Sequence, residues 1–203
     1  MNKQEKFWRD EYSSEYIKRN QNFQLDSGVK AWSEMLKHAD SINSVLELGC
    51  NIGRNQNILR HYLPSASKSI VEISPEAYSI VSSRYDLHIA KNCSILEADF
   101  SGQTFDLVFT TGVLIHIAPE NLLDHMEKMY NLSSRYVLMC EIFSRVPRTV
   151  NYKGSDDLLF TRDFGRYFLE NFKVRVIDYG FLWGYYYDAA GFDDGTYWLF
   201  EKP

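Results

Sequence analysis

Residues 45–55 read VLELGCNIGRN. A short apolar run, Val45 to Leu48, enters a segment with two glycines, Gly49 and Gly53, and carries a carboxylate, Glu47, inside the run. An apolar run that ends in glycine and opens a helix places a ligand site at the carboxyl end of a strand in an open α/β sheet. Gly49 allows a tight turn with no Cβ in the way, and Gly53 allows the following helix to come close. A dinucleotide-binding turn has the spacing G-x-G-x-x-G and aims a helix N-terminus at pyrophosphate. Here the spacing is G-x-x-x-G, with Cys50 and Asn51 where pyrophosphate would lie. Glu47 repels phosphate and attracts a cation, such as an amino group or a sulfonium.

Working outward, apolar β-rich runs recur at SVLELG, KSIVEIS, CSILEAD, FDLVFTTGV, RYVLMCEIF, VRVIDYGF and TYWLFEK. Helical patterns separate the earlier ones, at about 54–61, 75–84, 119–130 and 162–171. This alternation predicts an α/β fold, a Rossmann-like, mostly parallel sheet of seven strands with helices on both faces. No helical pattern separates the last two runs, so they are expected to pair antiparallel. The first 40 residues look helical, with aromatics at Phe7, Trp8, Tyr12, Tyr16, Phe23 and Trp32. The 203 residues read as one domain. Residues 1–40 form a helical lid, 41–143 the ligand-binding core, and 144–203 the substrate-side elements and last strands.

The carboxylates then fall in order. Glu72, at the end of the second run, can accept from both hydroxyls of a ribose, with Ile73 beside it. Asp99 can accept from an exocyclic adenine amine, and Phe100 can wall the ring. The fourth run leads into Thr111, Gly112 and Val113. A cationic ligand with adenosine and no phosphate satisfies this set, and S-adenosylmethionine is such a ligand.

VLELGCNIGRN, VEIS, LEADF and FDLVFTTGVLIHIAP together resemble the class I S-adenosylmethionine-dependent methyltransferases, over about Ser44 to Phe143. FWRDEYSSEYIKRNQ, GVLIHIAPENL, LLFTRDFGRYFLE, DYGF and the terminal segment further resemble the methylases associated with pseudaminic acid biosynthesis. That likeness implies a bacterial enzyme that methylates an oxygen or nitrogen of an acidic, nonulosonic-type sugar or sugar nucleotide for surface glycans. A macromolecular acceptor (a glycosylated protein or tRNA) and a non-catalytic S-adenosylmethionine-binding protein are the alternatives.

Trp8, Tyr12 and Tyr16 share one helical face. Tyr16 and Arg19 lie in the family-like segment and suit the cofactor's carboxylate, for which Arg54 is a second candidate. His116, after the fourth run, is the candidate general base, and Glu141 a second one. His38, His61, His88 and His125 are expected at the surface. The stretch 143–157 reads as a long loop bearing Arg145, Arg148, Tyr152 and Lys153, which suits an anionic acceptor. Tyr187, Asp193 and Asp194 in WGYYYDAAGFDDG complete the expected acceptor contacts.

The remaining expectations are exclusions. The net charge of −5 shows no footprint for nucleic acid. No apolar stretch is long enough for a membrane span, and the charged start lacks a signal core. Three scattered cysteines, Cys50, Cys93 and Cys140, fit a cytoplasmic protein and show no metal-ligand spacing, so no metal is expected. The oligomeric state is left open.

Overall fold

A computed structural model describes residues 1–22, 24–187, 192 and 194–203. Phe23, Asp188 and Asp193 lie outside the described residues. One sheet of seven strands runs β3-β2-β1-β4-β5-β9-β8. Its members are β1 (Ser44–Leu48), β2 (Ser67–Val71), β3 (Ile89–Lys91), β4 (Phe105–Thr111), β5 (Ser133–Glu141), β8 (Arg175–Leu182) and β9 (Gly195–Glu201). β1 to β5 pair in parallel, and β9 lies antiparallel between β5 and β8. The expected antiparallel pair at the chain's end is therefore present.

Side chains alternate across the central strands, as the period of two requires. Val45, Leu107, Phe109, Leu138 and Leu199 meet Ala31, Trp32 and Met35 of α3 (Leu25–Met35) and Ile58 and Leu59 of α4 (Arg54–Tyr62). Leu46, Leu48, Val108, Val137 and Met139 meet Leu122, Met126 and Met129 of α6 (Leu122–Leu132), and Phe164 and Phe168 of α7 (Phe164–Asn171). Ile70 packs with Val81 of α5 (Pro75–Arg84), which starts with Ser74 as cap and Pro75 in the first turn.

Two expectations are corrected. The third strand is Ile89–Lys91, not the CSILEAD run. That run folds as a turn: the Ser94 amide donates to the Glu97 carboxylate at 3.2 Å, and the Glu97 amide donates to Ser94 Oγ at 3.4 Å. A polar pair three residues apart closes a turn that its apolar neighbours disguise as a strand. Second, the stretch from Phe143 is not a long loop. Arg148–Tyr152 (β6) and Ser155–Thr161 (β7) pair as an antiparallel hairpin. Lys153 and Gly154, both at positive φ, make the two-residue turn.

The N-terminal residues are helical as expected, as α1 (Lys3–Lys6), a π-helical turn (Phe7–Glu11) and α2 (Ser13–Arg19). They are fastened at both ends. Lys3 pairs with Asp157 at 2.6 Å, Gln4 donates to the Asp157 carbonyl at 2.9 Å, and Lys153 pairs with Glu15 at 2.7 Å. Ser13 and Ser14 bond Ser74 and Glu76 at the start of α5. The segment thus bridges the hairpin tip and α5, across the carboxyl ends of the strands. Among the described residues no helix is long and apolar enough to cross a membrane.

Candidate active site

A pocket opens at the carboxyl ends of β1, β2 and β4 beneath the N-terminal segment. Gly49, at φ +79°, turns the chain out of β1, and its amide donates to the Val71 carbonyl at 2.8 Å. A Cβ there would stand 2.7 Å from Val113, so only glycine fits. Glu47 is buried, and two side-chain amides from the first turn of α4 hold it. Asn55 Nδ2 donates at 2.8 Å and Gln56 Nε2 at 2.6 Å. Burial pushes the Glu47 carboxyl up to about 7, against the pull of those amides and of the nearby Arg54 charge. Asn55 also donates to Thr111 Oγ1 at 2.8 Å, which ties β1, α4 and β4 into one polar knot.

Glu72 ends β2 in the same way. Its oxygens accept from the Asn51 amide at 2.6 Å and the Ser74 amide at 2.8 Å. Burial raises its pKa, and the amide bonds oppose that. A carboxylate has about four acceptor positions, so capacity remains for a ligand donor.

After β4 the chain makes a 3-10 turn, Leu114–His116. Glu141 anchors it, accepting from the amides of Val113 (3.2 Å), Leu114 (3.1 Å) and Ile115 (3.3 Å). Glu141 is buried, is pushed up to about 7 by that burial, and does not line the pocket. Its expected role as a base is therefore corrected: its acceptor capacity is spent on the backbone. His116 does line the pocket. Its Nδ1 lies 2.8 Å from the Leu158 carbonyl, which can only accept, so Nδ1 carries the proton and Nε2 is the ring's acceptor. Burial, with help from the Arg19 charge, lowers its pKa to about 4.

The N-terminal segment brings Trp8 over His116, with ring centroids 4.4 Å apart, and Tyr16 beside Trp8 at 5.1 Å. Of the expected ligand residues, the pocket gathers Trp8, Tyr16, Glu47, Gly49, Cys50, Asn51, Arg54, Glu72, Ile73, Thr111, Gly112, Val113 and His116.

Others are placed elsewhere. Arg19 packs against the Tyr16 ring (5.2 Å), outside the lining, whereas Arg54 is within it. Gly53 starts α4 and faces Val81 and Tyr85. Asp99 is exposed and accepts from the Ser101 amide at 2.8 Å, and Phe100 is core, packed edge-on against Phe105. Arg145 is exposed just before the hairpin and Arg148 on its first strand, and Lys153 pairs with Glu15 of the N-terminal segment. Tyr152 stands behind Trp8 and His116, at 6.3 and 5.4 Å. Tyr187 packs towards the α3 side of the core, and Asp194 accepts from the Gly184 amide at 2.6 Å. None of these lines the pocket.

His125 is corrected as well: it is buried and lines the pocket. The signal was present, since Leu122, His125, Met126 and Met129 fall at the i, i+3, i+4, i+7 spacing of one helix face. Asn2, Glu5, Asn55, Ser94 and Ile95 are further lining residues that the sequence reading passed over. Among the described residues no group of His, Cys, Asp and Glu is arranged to hold a metal ion.

Residues 45–134, which include the glycine turn, Glu47, Glu72 and His116, match the methyltransferase domain family. Over that stretch the chain is similar to a methyltransferase domain. Solved methyltransferases share its fold. Magnesium protoporphyrin IX methyltransferase from Synechocystis PCC 6803, solved with S-adenosylmethionine, is 14% identical with a TM-score of 0.68, covering 100% of this chain and 99% of that one. The N-methyltransferase NodS from Bradyrhizobium japonicum WM9, solved with S-adenosylhomocysteine, gives 14% and 0.67, covering 95% of this chain and 100% of that one. A Burkholderia thailandensis methyltransferase that acts on 1,6-didemethyltoxoflavin gives 14% and 0.70, covering 94% and 83%. No curated protein matches the chain in sequence.

The lining suits S-adenosylmethionine. Among the described residues, buried Asn51 Oδ1 and Trp8 Nε1 find no partner, and both residues border the pocket. Such atoms are costly to bury unless a ligand satisfies them. A Cβ built on Gly112, at φ +64°, meets nothing within 4 Å, so the space beside it is open to a ligand. Glu47 and Arg54 at β1 suit an ammonium and a carboxylate, and Glu72 at β2 suits a diol.

Proposed function

We propose that this methyltransferase transfers a methyl group from S-adenosylmethionine to an oxygen or nitrogen of a small polar acceptor, an acidic sugar or sugar nucleotide. The observation that carries the reaction is the pocket in which Glu47, Arg54, Glu72 and His116 converge. Glu47 and Arg54 hold the amino-acid end of the cofactor, and Glu72 with Asn51 holds the ribose. When bound, the cofactor supplies an electrophilic methyl group on a sulfonium.

The chain's own part is alignment. Trp8, Tyr16 and His116 wall the acceptor side, and Trp and Tyr faces suit a sugar ring. His116 Nε2 receives the proton that the acceptor's O–H or N–H gives up. Its lowered pKa keeps it neutral at physiological pH and also makes it a weak base, so positioning carries most of the rate. Positive charge on this side supports an anionic acceptor: the Arg19 charge reaches His116 and Tyr152. The N-terminal lid, the single-domain organisation and a reducing, cytoplasmic setting for the free thiols complete this reading.

Mass spectrometry of the acceptor after incubation with the protein and S-adenosylmethionine tests it. A nonulosonic acid, free or nucleotide-activated, should gain the mass of one CH2, and a neutral hexose should not. His116→Gln should lower turnover roughly a hundredfold and leave S-adenosylhomocysteine affinity unchanged. Methylation of the neutral sugar alone would remove the acidic-sugar reading.

A further inference from the structure

The pocket's polar groups follow the sheet. Glu47, Arg54 and Thr111 stand at β1 and β4, Glu72 and Asn51 at the end of β2, and Cys93, Ser94 and Ile95 just beyond β3. A ligand whose ribose meets Glu72 and whose amino-acid end meets Glu47 must lay its base at the β3 end. Asp99, the residue expected to meet that base, is turned away into its own loop.

What stands there instead comes from two distant parts of the chain. The Lys128 ammonium donates to the Leu96 carbonyl at 3.4 Å, so α6 lies beside the turn after β3. His125, one turn earlier on α6, is 2% exposed and lines the pocket. Its Nδ1 is 2.7 Å from the Asn121 carbonyl. That carbonyl can only accept, so His125 presents Nε2 as an acceptor. α1 covers the same end, where Asn2 and Glu5 line the pocket. Glu5 and His125 line the same pocket, and the Glu5 charge reaches His125. Glu5 Oε2 accepts from the Asn2 amide at 2.8 Å, which leaves Oε1 for another donor. Ile95 and Ile117 give apolar walls.

We infer that His125 and Glu5 read the amino edge of the cofactor's adenine, His125 through Nε2 and Glu5 through its carboxylate. The inference rests on the S-adenosylmethionine reading. A 6-aminopurine offers two N–H donors, and the site offers two acceptors. A 6-oxopurine turns a carbonyl oxygen towards those acceptors and leaves them unpaired, the costly direction of a mismatch. The N-terminal segment is then a reader of the base as well as a cover.

Calorimetry on the full chain with S-adenosylhomocysteine and S-inosylhomocysteine tests this. The adenosyl compound should bind roughly tenfold tighter or more. Glu5→Gln, which retains the geometry of the helix cap, and His125→Ala should each shrink that ratio. A merely structural loosening would weaken both ligands alike and leave the ratio unmoved, so the ratio is informative even where one variant is less stable. Equal affinities in the native protein, or a ratio unchanged in both variants, would overturn the assignment. If neither compound binds, the methyl-donor reading falls and this assignment falls with it.

Discussion

Lowering the pH from 8 to 6 should weaken S-adenosylhomocysteine binding about tenfold. The group responsible is Glu47. In the ligand-free protein its carboxyl titrates at about 7, because burial outweighs the amides of Asn55 and Gln56. A ligand ammonium needs the ionised form. About one pH unit below the pKa only around a tenth of the molecules are ionised, and the ligand must expel a proton from the rest. At pH 7 binding should release about half a proton. The stability of the ligand-free fold should run the other way. A carboxyl raised in the fold stabilises it at low pH, and that contribution is lost as pH rises through the folded pKa. For Glu47, and again for Glu141, a rise from 4.5 to about 7 corresponds to about 3 kcal/mol each, lost between those values. Titration calorimetry at pH 6, 7 and 8, in buffers of different ionisation heat, reads affinity and proton release together. Glu47→Gln should flatten the affinity profile. Flat affinity in the native protein with no proton release would refute the pairing of Glu47 with a cation.

Two further outcomes are expected. Removing the fastenings of the N-terminal segment, with Lys3→Ala and Lys153→Ala together, should cost little stability, because both pairs are exposed, yet should speed S-adenosylhomocysteine release several-fold in stopped-flow traces; equal release rates would make the segment mere padding. Gly49→Ala should lower stability by about 2–4 kcal/mol through φ strain and the Val113 clash, whereas Gly112→Ala should cost only about 1–2 kcal/mol of strain and lose more in ligand affinity than in melting temperature.

The central sheet was legible because its strands are apolar runs with helices at regular intervals, and the convergence of Glu47, Gly49 and Glu72 on one pocket was legible because such pockets open at the carboxyl ends of strands. The third strand was not. It is only three residues long, Ile89–Lys91, and a more apolar turn follows it. The hairpin was hidden because β6 is almost wholly exposed and lacks alternation. Asp99 and Glu141 show the limit for single carboxylates: sequence gives the group but not the amides that will claim it. His125 was misjudged for the opposite reason, because helical spacing was read for its leucines and methionines and not for the histidine among them.

The fastenings of the N-terminal segment also set an order of events in folding. Lys3 and Gln4 are held by Asp157, more than a hundred and fifty residues downstream. Contacts that distant form late, since the loop between them must be closed first. On a ribosome the N-terminal segment therefore waits, aromatic face uncovered, until the hairpin tip has been made. Lys3, Glu5, Lys6, Arg9, Asp10 and Glu11, interspersed among those rings, keep that stretch hydrated meanwhile and deny passing chains a continuous apolar surface.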